Sequence, residues 1–144
     1  MVKQAIDMPQ NQREKIVERL SQILRPHDEI YFSYVFGSFV ENIPFKDIDI
    51  AVYYAPELYD KLDVLKYEQT LADEISSDVK IPVDIRIINN APLGFMYAVT
   101  CGRVLTSRNE EFRCDLVERI WIEYLDYQPK AAEFLHDMFP IVEK

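Results

Sequence analysis

Three aspartates and a Gly-Ser pair are the residues of this chain best suited to chemistry. Asp47 and Asp49 stand one residue apart in FKDIDIAVYY (45–54). Asp84 lies in PVDIRII (82–88), and Gly37-Ser38 follow the aromatic run EIYFSYVF (29–36). Carboxylates in apolar runs are costly to bury unpaired, and clustered carboxylates raise one another's pKa. A divalent cation removes that cost, and Mg²⁺ is commonly held by a few carboxylates together with substrate phosphates. Two such ions would activate an attacking oxygen and stabilise a leaving pyrophosphate, which is the chemistry of nucleotidyl transfer. Gly37 and Ser38 suit the phosphate end of such a substrate. A glycine lets backbone approach a ligand closely, a helix opening at Ser38 would offer free N–H groups to phosphate, and the serine hydroxyl adds a donor.

These residues need elements to aim them. Side chains alternate faces along a strand. In 47–54, Ile48, Ile50, Val52 and Tyr54 share one face and Asp47, Asp49 and Ala51 the other. The two carboxylates are then about 6 to 7 Å apart at the backbone. In 82–88, Val83, Ile85 and Ile87 face one way, with Asp84 and Arg86 opposite. If the two strands belong to one sheet, three carboxylates converge on one surface.

Helical spacing of Ile16, Val17, Leu20, Ile23 and Leu24 predicts a helix over 11–24, capped by Asn11 with Glu14 and ended by Pro26. Leu58, Leu62, Leu65, Ala72 and Ile75 predict one long helix over 57–77. Pro92 opens a helix that Gly102 follows, and 103–106 reads as a short strand. Ser107 with Glu110 resembles a capping box for a helix over 108–126. Pro129 starts a last helical piece carrying Phe134, Leu135, Met138 and Phe139. The order is that of a single small α/β domain spanning 1–144, without repeat, linker or low-complexity tract.

Composition sets outer limits. With 144 residues, 49% hydrophobic and 28% charged, the chain reads as globular and soluble, with no apolar run near the ~20 residues a membrane span needs. MVKQAIDMPQ at the N-terminus lacks the apolar centre of a secretory signal, and Cys101 and Cys114 are too few for a disulfide framework, so the cytoplasm is the expected compartment. Twenty-five acidic against 16 basic residues give a net charge of −9, which repels nucleic-acid backbones and suits a basic protein partner or metal-bound substrates. Acidity that only aids solubility is an equally open reading.

Gly37-Ser38, eight intervening residues, Asp47-Ile48-Asp49 and the later Asp84 resemble the nucleotidyltransferase superfamily related to DNA polymerase β. Small size and the segment NNAPLGFMYAVTCGRVLTSRNEEF narrow the resemblance to the minimal nucleotidyltransferases (MNT), the antitoxin halves of HEPN–MNT toxin–antitoxin pairs. The resemblance covers roughly residues 11–138. It implies a small mixed sheet flanked by helices. It also implies Mg²⁺ and ATP, with transfer of AMP to a tyrosine of a partner HEPN ribonuclease. By that resemblance Asp47, Asp49 and Asp84 are the metal ligands, Asp84 is also the general base, and Gly37 and Ser38 hold the phosphates. The chain departs from common members after Ser38. FVEN (39–42) carries neither the usual basic residue nor a second glycine, and Lys46 and Arg86 could supply positive charge instead.

Plainer roles stand beside these. Asp47 and Asp49 could be a solvated strand face, Gly37 a turn residue, Ser38 a helix cap, Arg86 a surface ion-pair partner, and Tyr53 a packing residue rather than a nucleotide contact. Among other enzymes, glycosyltransferases also use Asp-x-Asp but need a longer chain, and a haloacid-type phosphatase would want Thr or Val where Ala51 stands. The alternative from another class is a nucleotidyltransferase fold that neutralises a toxin by binding alone.

Overall fold

The structure, a computed structural model, describes residues 4–138, with side chains through Asp126. Nine elements follow in order: α1 (Gln10–Leu24), β1 (Ile30–Phe36), β2 (Ile48–Tyr54), α2 (Pro56–Tyr59), α3 (Val64–Val79), β3 (Val83–Ile87), α4 (Leu93–Thr100), β4 (Arg103–Ser107) and α5 (Glu110–Met138). The strands form one mixed sheet in the order β3-β2-β1-β4. β1 is antiparallel to both β2 and β4, while β2 and β3 run parallel. A parallel pair needs a crossover, and α3 supplies it. The fold is the expected α/β arrangement of a small mixed sheet flanked by helices.

Strand alternation is what allows the sheet to be covered on both faces. Ile48, Ile50 and Val52 of β2 and Ile85 of β3 pack with Val17, Leu20 and Leu24 of α1 and Leu71, Ala72 and Ile75 of α3. On the other face Phe32 and Tyr34 of β1 and Ala51 of β2 pack with Met96 and Val99 of α4 and Ile120 of α5. The face that carries Asp49 is therefore no open surface along its length: Ala51, the next residue on it, is fully buried. Only the leading end of β2 is left for carboxylates.

Several boundaries differ from the sequence reading. Pro9, not Asn11, precedes α1, and its carbonyl accepts from Gln12 and Arg13 N–H at 3.1 Å. The helix expected over 57–77 is two helices, because the Asp63 side chain accepts from Lys66 N–H at 3.2 Å and caps a new start. Leu58 and Leu65, counted in its apolar stripe, are exposed. Asn109 rather than Ser107 caps α5, accepting from Phe112 N–H at 3.1 Å. α5 also continues through Pro129 to Met138, where a separate helical piece was expected. A proline inside a helix removes one N–H, and a helix can carry it as a kink instead of ending there. The side chains of Phe134, Leu135 and Met138, and Phe139 altogether, lie outside the described residues.

The sheet edge at β3 is closed by α3. Val83 N–H donates to Ser76 Oγ at 3.1 Å and Ile87 N–H to Glu68 Oε2 at 2.9 Å, so two outward donors of the edge strand are occupied. No helix among the described residues is long and apolar enough to cross a membrane.

Candidate functional site

The parallel register of β2 and β3 pairs Asp49 with Asp84, and the antiparallel register of β1 and β2 pairs Phe36 with Asp49. Paired residues point to the same sheet face. Asp84, Asp49 and Phe36 thus form a row across three strands, each step being about 4.8 Å. Asp47 lies at the bend just before β2 and is half-buried. Of the three carboxylates expected to converge, the register sets Asp49 beside Asp84, while Asp47 precedes the paired residues of β2. The plainer reading of a solvated strand face does not fit Asp49, which is half-buried beside two other carboxylates.

Electrostatics follow from that placement. Burial, then the charge of Asp84, then that of Asp47 push the Asp49 carboxyl up to about 6, against a smaller opposing pull from Arg86. A half-buried carboxyl facing two neighbours of like charge fits a site completed by a hard divalent cation, which would relieve both repulsions. The Asp84 carboxylate is engaged by Arg86 Nε at 3.3 Å. No group of three or more His, Cys, Asp or Glu side chains is gathered closely enough to hold a metal among the described residues. The carboxylates share a face without forming a ready cage.

Gly37 is required twice over. Its φ is +83°, a region open chiefly to glycine, and a Cβ there would come within 2.8 Å of Asp49 Oδ2. A side chain at residue 37 would have to take a left-handed backbone and displace the Asp49 carboxylate from its present position.

Ser38 begins a turn and not the expected helix. Val40 and Glu41 N–H close back on the Gly37 carbonyl at 3.1 and 3.2 Å, and Asn42, with φ +61°, ends the turn in the left-handed region. The reason lies in FVENIP: Asn42 tolerates that conformation, and Pro44 prevents continuation.

Two features near this turn escaped the sequence reading. Arg13 of α1 is almost fully buried and donates from Nη1 to the carbonyls of Phe39 at 2.8 Å and Ser38 at 3.3 Å. It occupies the buried stripe with Val17, Leu20 and Leu24, and a charged residue on an apolar helical register was the available signal. The second is an isolated bridge between Ile6 and Phe45, with N–H to carbonyl distances of 2.7 and 3.0 Å, which fastens the N-terminal segment to the loop before Asp47.

Three candidates take plainer roles. Tyr53 stacks on Phe32 at 5.1 Å and leans on Phe112 at 5.2 Å, as a packing residue would. Arg86 pairs with Asp84, and Lys46 is exposed. Phe36, beside Asp49 in the row, meets Phe95 of α4 edge-on at 5.7 Å, giving the carboxylates an aromatic flank.

Residues 18–111, more than half of the chain, match the family described as polymerase beta, nucleotidyltransferase. Similar solved structures include a tri-AMPylated Shewanella oneidensis HEPN toxin in complex with MNT antitoxin. The TM-score is 0.61 at 21% identity, covering 88% of this chain and 98% of that one. An MntA–HepT toxin–antitoxin structure gives 0.60 at 20% identity over 87% and 97%. A toxin–antitoxin structure with AMP-PNP gives 0.62 at 21% identity over 85% and 97%. At these identities the likeness is one of fold. No curated protein matches the sequence.

Proposed function

This chain belongs to the polymerase beta nucleotidyltransferase family, and within it we propose a minimal nucleotidyltransferase antitoxin that transfers AMP from ATP to a tyrosine of a HEPN-domain ribonuclease toxin. The observation that carries the reading is the parallel register setting Asp49 against Asp84, with Gly37 close against Asp49. A solved neighbour described as a tri-AMPylated HEPN toxin with MNT antitoxin, and another containing AMP-PNP, support the choice of donor and acceptor.

In this reading the triphosphate lies along the turn at Gly37 and Ser38, where backbone comes close without a side chain intervening. Asp47, Asp49 and Asp84 are the residues that would hold Mg²⁺, which when bound supplies positive charge to the phosphates and the departing pyrophosphate. The tyrosine hydroxyl, with an ordinary pKa of about 10, is a weak nucleophile at neutral pH. Asp84 accepts its proton as the phenolic oxygen bonds to the α-phosphorus. The bond from that phosphorus to the bridging oxygen breaks, and pyrophosphate leaves. Arg86 holds the Asp84 carboxylate, and its release from that pair is part of arming the site. The same proposal treats 1–144 as one domain acting in the cytoplasm.

A second reading, neutralisation by binding alone, draws on the Arg86–Asp84 pair and on the lack of a ready metal cage among the described residues. Intact-mass spectrometry of the toxin after incubation with this protein, ATP and Mg²⁺ separates the two. Adducts of one or more AMP units that vanish with Asp49→Asn are expected. An unmodified toxin that is nonetheless inhibited in a stable complex would replace the enzyme with the binder.

A further inference from the structure

The two edges of the sheet are finished differently. At β3, α3 occupies the outward donors of Val83 and Ile87. At the opposite edge β4 pairs with β1 alone, and among the described residues no other backbone bonds to Arg103–Ser107. Such an edge presents unpaired N–H and C=O groups to any extended chain that reaches it. It is open to approach: Arg103 and Val104 are exposed, Val104 at 40%. α1 runs alongside, and between the two lies a groove of about 510 Å³ whose apolar wall includes Val17 and Leu105. A second hollow of about 320 Å³ continues it past Arg25 and Leu105 toward Arg108. An open edge strand beside a groove is where extended peptides add to a sheet.

Charge selects the peptide. Lys15 and Arg25 of α1, Arg103 of β4 and Arg108 just beyond it line the two hollows, against Glu14 and Glu18. Four cations to two carboxylates inverts the balance of a chain with 25 acidic and 16 basic residues. Arg103 pairs with Glu14 at 2.8 Å, and Arg108 lies 4.0 Å from Asp28. Lys15 and Arg25 are exposed and form no ion pair among the described residues. α1 packs on the sheet face that holds Leu105, so alternate side chains of an added strand would point toward these cations. We propose that the β4 edge is a docking site for an extended acidic segment of a protein partner, which joins the sheet as an outer strand with its carboxylates over Lys15, Arg25 and Arg103. A second copy of this chain suits the edge less well. Antiparallel pairing of two β4 strands sets Arg103 of each at the Arg108 end of the other, and like charges across a strand pair repel. The groove shares no residue with Gly37, Ser38 or the three aspartates, so docking stands apart from the proposed transfer.

The probe is a fluorescein-labelled peptide of about eight residues, a common strand length, alternating glutamate with valine. Its controls are the same peptide with lysine for glutamate, and a fully N-methylated copy that has no N–H to give to a ladder. Fluorescence anisotropy with the full chain reads Kd. The glutamate peptide should bind about tenfold or more tighter than either control. Lys15→Glu combined with Arg25→Glu should weaken it by about tenfold or more, with circular dichroism as in wild type. In ¹⁵N-labelled wild type, which needs no variant to fold, the amides of Val104–Ser107 should shift when the glutamate peptide is added. Equal affinity for the glutamate and lysine peptides, affinity kept by the N-methylated copy, unmoved β4 amides or no binding at all would each overturn the inference. So would a wild-type dimer that the glutamate peptide dissociates, which would assign the edge to a second copy.

Discussion

Asp49 holds its proton more tightly in the folded protein than in the unfolded chain, since burial and then the charges of Asp84 and Asp47 lift its carboxyl from 3.8 to about 6. The stabilisation this gives is fully present below about pH 4 and is lost as pH rises through about 6. At neutral pH the ionised carboxylate opposes folding. Linkage at 1.36 kcal/mol per pKa unit bounds the effect near 3 kcal/mol, and partial solvent access reduces it to about 1 kcal/mol. Asp49→Asn should therefore be more stable than wild type by about 1 kcal/mol near pH 7.5, with the difference disappearing near pH 4. Urea denaturation at the two pH values measures it. The same variant should lose transfer, so that a gain in stability and a loss of activity coincide. Gly37→Ala should act in the opposite sense. A left-handed φ costs a residue with a Cβ about 1–2 kcal/mol, and the clash with Asp49 Oδ2 adds to it. Lower stability together with weaker nucleotide binding is expected, read by denaturation and calorimetry.

At the scale of elements, the strands were legible because their signal is redundant. Each carries β-branched residues, β1 and β2 aromatic ones as well, and β2 and β3 alternate apolar with charged positions, so the face followed from sequence while the register came only with the sheet. The helices were less legible where capping outweighed periodicity. Leu58, Leu62 and Leu65 recur at helical spacing, yet Asp63 starts a new helix and Leu65 ends 79% exposed. Removing that cap with Asp63→Ala should cost about 1 kcal/mol, whereas Leu65→Gln should fall within about 0.5 kcal/mol of wild type, as exposed substitutions do. Chemical denaturation of the two variants checks both. The site was legible as a set of carboxylates and a glycine. What holds the turn was not: the place of Arg13 on the apolar register of α1 was its one signal, and the bonds it makes go to backbone carbonyls, which have no sequence signature. The turn at 38–42 was mistaken for a helix start for a related reason: Asn42 and Pro44 act after the serine, out of reach of a rule that looks only at the cap.

For the molecule as a whole, a net charge of −9 governs encounter more than contact. Screening lengths shrink from about 10 Å at 0.1 M salt to about 3 Å at 1 M. If the HEPN partner is basic, association should slow by roughly tenfold between low and moderately high salt, with dissociation changing less. Stopped-flow mixing over a salt series measures this, and a salt-independent rate would point to a contact surface without charge complementarity. The outer edge of the sheet bears on the other kind of encounter, that of one copy with another in a crowded cell. Ser76 and Glu68 already occupy the donors of Val83 and Ile87 that a foreign strand would need. A second chain arriving at β3 would find a hydroxyl and a carboxylate already at those two donors, which disfavours strand pairing along the flank nearest the carboxylates.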